Sequence, residues 1–204
     1  HNLRYSDFDS YSSFSAAKQE KEHGEFFTPH EAAECLVNML NPSKNDIVMD
    51  LTSGISVFAN FVPVEQNFYG NDFNRNNIKI SKYLYPTANF DCKDIRDYSP
   101  SVKADIIFGN PPFNINMGEY TSQLYYFIKA YDVLKQGGFI AVVVPSSFMS
   151  DDFSYKGVIS EIEKRFSFVF QAQLPNNLFK RVGVNNYNTK IMIFQKRSDL
   201  ITFI

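Results

Sequence analysis

From residue 46 onward the chain repeats one unit: a short run of apolar, β-favouring residues that ends on polar ones and leads into a helical pattern. The runs cover 47–51, 67–71, 88–92, 104–108 and 139–144, and the helical stretches cover 57–61, 74–85, 121–136 and 152–166. Strands so continuously apolar must be covered on both faces, and strands separated by helices join as parallel neighbours. The alternation predicts a mostly parallel sheet inside a three-layer α/β sandwich. Two last runs, 168–174 and 187–195, are linked through the polar stretch 176–186 with no helix pattern, so they are expected to pair antiparallel as a C-terminal hairpin.

Upstream, His30–Leu40 places Ala33, Leu36, Val37 and Leu40 at helical spacing behind a Thr28-Pro29 start, which predicts a helix. Residues 1–22 are polar and weakly periodic. They read as a lead-in, and His1 in place of a starting methionine suggests a tag remnant or a piece of a longer chain. The folded unit is expected over 23–204. With 204 residues, 44% hydrophobic and 21% charged, one domain with a sizeable core is the natural reading. The formal charge of −2 gives no field that would hold a polyanion unaided. The longest apolar run, 139–145, is far short of the ~20 residues that span a bilayer. Cys35 and Cys92 lack metal or disulfide spacing, as do His1, His23 and His30, so no metal and a reducing cytoplasm are expected.

In an open doubly wound sheet, ligands collect at the carboxyl ends of the strands near the switch point. The polar residues there are Asp50, Asp72, Asp94 and Asn110. Asp72 follows Asp50 by 22 residues, near the offset at which an acid reaches a ribose hydroxyl, which suits a nucleoside-containing cofactor. The loop 50–58 (DLTSGISVF) holds only Gly54, so the GxGxxG dinucleotide fingerprint is missing, and there is no P-loop either. Asn110-Pro111-Pro112-Phe113 is more distinctive. Two prolines fix the backbone and remove two amide hydrogens, leaving carbonyl acceptors beside an aromatic ring. An Asn oxygen and a proline carbonyl can accept both hydrogens of an amino group while Phe113 stacks on the ring that bears it.

With these residues in hand, the chain resembles the S-adenosylmethionine-dependent amino-methyltransferases. GEFFTP at 24–29 ahead of the first strand narrows the resemblance to adenine-N6 DNA methyltransferases of the gamma order, like the modification subunits of type I restriction systems. GGFIAVVVPSSFM at 137–149 is similar to that family's fifth-strand region, and Leu174-Pro175, Phe179 and TKIMIFQ at 189–195 to its final hairpin. The resemblance implies a Rossmann-like methyltransferase fold and S-adenosylmethionine as cofactor. It implies that Phe26, Thr28 and Pro29 close over the methionine end. Asp50 with Thr52, Ser53 and Gly54 would hold the amino-acid group, and Asp72 the ribose hydroxyls. Asp94, in preference to Asp91 or Asp97, would accept from the cofactor's adenine N6 between Phe73 and Ile95.

Asn110, Pro111, Pro112 and Phe113 would form the catalytic loop, acting on an adenine flipped out of DNA. The pattern departs at Leu51, where proline is common, and at Ser56, where the family has a second glycine. A serine needs more room and disfavours positive φ, which bears on cofactor affinity. With only 196–204 beyond the last strand, sequence recognition is expected from another domain or subunit. Lys180, Arg181 and Lys190 could give a modest phosphate-contacting patch. Two alternatives stay open: a protein-glutamine or RNA amino-methyltransferase on the same scaffold, and a noncatalytic scaffolding module.

Overall fold

A computed structural model describes residues 27–112, 115–117, 120–150, 156–182 and 188–198, and in it the apolar central strands are covered on both faces. The strands are β1 (Val48–Asp50), β2 (Phe68–Asn71), β3 (Asn89–Asp91), β4 (Ala104–Gly109), β5 (Asn116–Met117), β6 (Tyr120–Thr121), β7 (Leu134–Pro145), β8 (Phe166–Gln173) and β9 (Thr189–Lys196). Seven of them form one sheet in the order β3-β2-β1-β4-β7-β9-β8, and β5 and β6 form a separate two-stranded ribbon. Pairing is parallel from β3 through β7, whereas β9 runs antiparallel to both β7 and β8. The expected C-terminal hairpin is therefore present, with its second strand inserted between β7 and β8.

The helices are α1 (His30–Leu40), α2 (Arg75–Leu84), α3 (Ser122–Val133) and α4 (Lys156–Arg165). Along β7, Ile140, Val142 and Val144 pack with α3 and α4 on one face, and Ala141 and Val143 pack with α1 on the other. This is the predicted three-layer sandwich. Phe127 of α3 anchors the first face, its ring meeting Phe148, Phe166 and Phe194 at centroid distances of 6.0, 5.8 and 5.2 Å. Burying each such ring contributes roughly 2 kcal/mol. α1 matches its sequence reading residue for residue: the Pro29 carbonyl accepts from Ala32 and Ala33 at its start, and Asn41 closes it in the left-handed region at φ 44°.

Two expectations are corrected. The segment 57–61 forms a 3₁₀ turn over Val57–Asn60 instead of an α-helix, because Ser56 turns the chain at φ 63° and Pro63 follows closely. The helix expected to reach residue 136 stops at Val133, and β7 starts at once with Leu134, which is buried. The Lys196 ammonium donates to the Tyr131 and Leu134 carbonyls at 2.6 and 3.0 Å, satisfying groups that further helix would have used. Gly137 then takes φ 72°, and the pairing of β4 with β7 slips between Ala104 and Ile106. Among the described residues no helix is long and apolar enough to cross a membrane.

Candidate active site

β1 neighbours β2 on one side and β4 on the other, so the chain reverses its direction of winding at this strand. A cavity of about 340 Å³ opens at the carboxyl ends of the strands there. Its walls come from the exits of β1, β2, β3 and β4, from Phe27 and Thr28 ahead of α1, and from the β5 ribbon and the start of α3.

The β1 exit is held by acceptors. Asp50 is buried and does not line the cavity; its Oδ1 accepts from the Thr52 amide at 3.1 Å. Burial pushes its carboxyl up to about 8, assisted by the charge of Asp72 and opposed by the Thr52 hydrogen bond. The Ser53 amide donates to the Asn71 carbonyl at 2.7 Å, and the Gly54 amide to Asp72 Oδ2 at 2.8 Å. Gly54 sits at φ 53°, and a Cβ there would approach the Phe27 ring at 3.6 Å. Ser56 adopts the positive φ that its side chain disfavours, and is fully buried. Its hydroxyl lies 3.1 Å from Ser53 Oγ and 2.9 Å from Ser81 Oγ, away from the cavity. The serine thus shapes the loop without lining the cavity.

At the β2 exit Asp72 is buried and lines the cavity, and its Oδ1 accepts from the Asn74 amide at 2.8 Å and the Asn77 side chain at 3.3 Å. Asn71 beside it ties three strand exits together: Nδ2 donates to the Leu51 and Lys93 carbonyls, and Oδ1 accepts from the Lys93 amide, all within 3.2 Å. At the β3 exit Asp94 lines the cavity, while Asp91 and Asp97 do not. The Arg96 guanidinium grips its carboxylate at 2.8 and 2.6 Å, which holds it below the usual carboxylate range. Phe73 and Ile95 stand in the same wall, and Phe73 is 71% exposed.

At the β4 exit Asn110, Pro111 and Pro112 all line the cavity. The structure therefore brings together Thr28, Thr52, Ser53, Gly54, Asp72, Phe73, Asp94, Ile95 and the Asn-Pro-Pro loop around one space, and leaves Asp50 and Pro29 outside its lining. Phe26 and Phe113 lie outside the described residues. Lys190 is corrected as a phosphate contact. It is buried in β9 and donates to Gln171 Oε1 at 3.1 Å, and burial lowers its pKa, so it is no surface cation. Sequence reasoning missed Phe27, Asn71, Arg96 and the α3 residues Ser122 and Tyr126; the only signals were an asparagine ahead of a strand-end acid and a hydroxyl at each of two positions one helical turn apart.

The fold is that of the class I S-adenosylmethionine-dependent methyltransferases. It superposes on a protein of Listeria monocytogenes assigned to that class with a TM-score of 0.70 at 16% identity, covering 93% of this chain and 68% of the other. A modification subunit assigned to a type I restriction enzyme of Vibrio vulnificus YJ016 superposes with a TM-score of 0.67 at 16% identity, covering 96% of this chain and 51% of the other. The profile of the N-6 DNA methylase family matches residues 11–204, and the chain belongs to that family. Among curated proteins it is similar to the defense against restriction protein B of Escherichia phage P1, 23% identical over 176 residues. That match takes in 79% of this chain and 8% of the phage protein, so the chain spans a small part of its curated relative.

Proposed function

We propose that this chain is the catalytic domain of an adenine-specific DNA methyltransferase that moves the methyl group of S-adenosylmethionine to adenine N6, in the cytoplasm, within a restriction-modification or related system. The observation that carries the reading is that Asn110 and Pro111 line the same cavity as Asp72 and Asp94, in a chain of the N-6 DNA methylase family.

The cavity suits the cofactor. Asp72 at the β2 exit fits a ribose diol, and Phe73 and Ile95 offer faces to a purine near Asp94, whose carboxylate retains lone pairs beyond those used by Arg96. Thr52 Oγ1 is buried at the cavity without a hydrogen-bond partner among the described residues, so a polar ligand group would satisfy it. The cofactor, when bound, supplies an electrophilic methyl group on a sulfonium. This chain's part is to make adenine N6 a nucleophile. The Asn110 side-chain oxygen and the Pro111 carbonyl accept the two N6 hydrogens, draw the nitrogen toward tetrahedral geometry and stabilise the positive charge that grows on it. A stacked base cannot reach such a loop, so the adenine is flipped out, with Phe113 as its stacking partner by its place in the motif.

DNA recognition is assigned to another domain or subunit, and the chain alone is expected to bind DNA weakly and in a salt-sensitive way. Radiolabelled cofactor offered together with DNA, RNA and a glutamine-bearing protein tests the reading. Label in adenine N6 of DNA is expected. Label in RNA or protein alone, or no saturable cofactor binding by calorimetry, would replace it with one of the two alternatives.

A further inference from the structure

Helix α3 presents two hydroxyls to the β4 exit, and they grip it on either side of Asn110. Ser122 Oγ lies 2.6 Å from the Pro112 carbonyl and 3.2 Å from Gln123 Oε1. A hydroxyl has one hydrogen, so the shorter contact takes it, and the oxygen accepts from the Ile115 amide at 3.2 Å. One turn along the helix, Tyr126 Oη donates to the Phe108 carbonyl at 3.0 Å. The same oxygen lies 3.5 Å from both Asp50 Oδ1 and the Leu51 amide. β1 and β4 pair through Met49 and Ile107, and just beyond that pair the Tyr126 hydroxyl stands between the two strand exits.

The placement needs two sequence conditions. Residues four apart on a helix share a face, which puts Ser122 and Tyr126 over the same loop. Gly109 makes room, since a Cβ there would fall 2.0 Å from the Tyr126 hydroxyl and 2.6 Å from Cζ. Both side chains are buried, and the carbonyls they hold, at 108 and 112, flank Asn110 at equal distance along the chain.

We propose that Ser122 and Tyr126 are positioning residues forming a two-point brace that fixes the orientation of the Asn110 side chain and the Pro111 carbonyl. This rests on the functional reading above. Prolines 111 and 112 have no amide hydrogens, so the loop cannot anchor itself through donors at those positions; it is held instead by donors brought to its carbonyls. Tying down the outer carbonyls leaves the Pro111 carbonyl, between them, to meet substrate. Acceptors displaced by as little as an ångström lose most of their effect on the reacting nitrogen.

The test is single-turnover methyl transfer to adenine-containing DNA by the purified chain and its Ser122→Ala, Ser122→Thr and Tyr126→Phe variants, with amide hydrogen exchange at Asn110 and Ile115 measured in parallel. Ser122→Ala is expected to lower the rate at saturating cofactor by about 10- to 100-fold while the half-saturating cofactor concentration stays within about twofold. Tyr126→Phe should lose rate likewise, the double variant should lose less than the product of the two single losses, and Ser122→Thr should recover most of the rate. Exchange at Ile115 should speed up in Ser122→Ala and not in Ser122→Thr. A Ser122→Ala variant with undiminished rate, or one whose loss follows weaker cofactor binding, overturns the brace. If the wild-type chain transfers no methyl to DNA even at low salt and saturating DNA, the functional reading fails on its own, and exchange decides the brace: unchanged protection at Asn110 and Ile115 in Ser122→Ala overturns it.

Discussion

The loops that leave β1 and β4 both border the cavity, yet the contacts that mark them differ. In the β1 loop backbone amides donate: Thr52 to Asp50, Ser53 to the Asn71 carbonyl and Gly54 to Asp72. At the β4 exit backbone carbonyls accept: that of Phe108 at the strand's end from Tyr126, and that of Pro112 in the loop from Ser122. The first loop keeps all its amides as Gly54 and Ser56 turn it through positive φ, and Asp50, Asp72 and the Asn71 carbonyl accept three of them. The second has lost amides to two prolines, and hydroxyls answer its carbonyls. A cofactor with hydroxyls suits the acidic side, and an amino group that must be pulled upon suits the carbonyl side.

The hardest way to break the contrast is at Gly109. Gly109→Ala drives a methyl into the Tyr126 ring and should cost about 3 kcal/mol in urea unfolding. Adding Tyr126→Phe should recover part of that, because the hydroxyl is the nearest obstacle while Cζ remains close. On the β1 side, Asp72→Ala removes the acceptor of the Gly54 and Asn74 amides. It should weaken cofactor binding in calorimetry by about 2 kcal/mol, near thirtyfold.

Asp50 offers a pH signature. Its folded pKa, about 8, lies above its ordinary 3.8, so its protonated form stabilises the fold fully below pH 3.8, and that contribution is lost as pH rises toward 8. Stability of the wild type relative to Asp50→Asn should therefore fall across this window by about 1.4 kcal/mol per pH unit, and a flat difference would refute the assignment. The smallest effect is expected at Ser56. Ser56→Gly relieves a left-handed backbone but loses two hydroxyl contacts, and should change stability by less than about 1 kcal/mol. Ser56→Ala keeps the strain, loses the contacts and should be the less stable of the two.

The same contrast explains what could be read from the residues alone. Acids that end apolar runs stand out, so Asp72 and Asp94 could be placed at the cavity before any fold was known. The order of alternating runs was enough for the layers and for the C-terminal hairpin. Ser122 and Tyr126 stayed hidden because a serine at a helix start and a tyrosine on its buried face look like a cap and a core residue. Asp50 resembled its neighbouring acids in sequence, and only its place outside the cavity lining separates it from Asp72 and Asp94. The early end of α3 depends on Lys196, 63 residues beyond Val133, which local pattern cannot reveal.

The central claim is that the β4 loop performs chemistry on a base while the β1 side holds the cofactor. Asn110→Ala separates the two in one preparation, with S-adenosylmethionine affinity measured by calorimetry and transfer of labelled methyl to adenine in DNA measured alongside. The account predicts affinity within about twofold of wild type and transfer reduced by about a thousandfold. Transfer at the wild-type rate would contradict it.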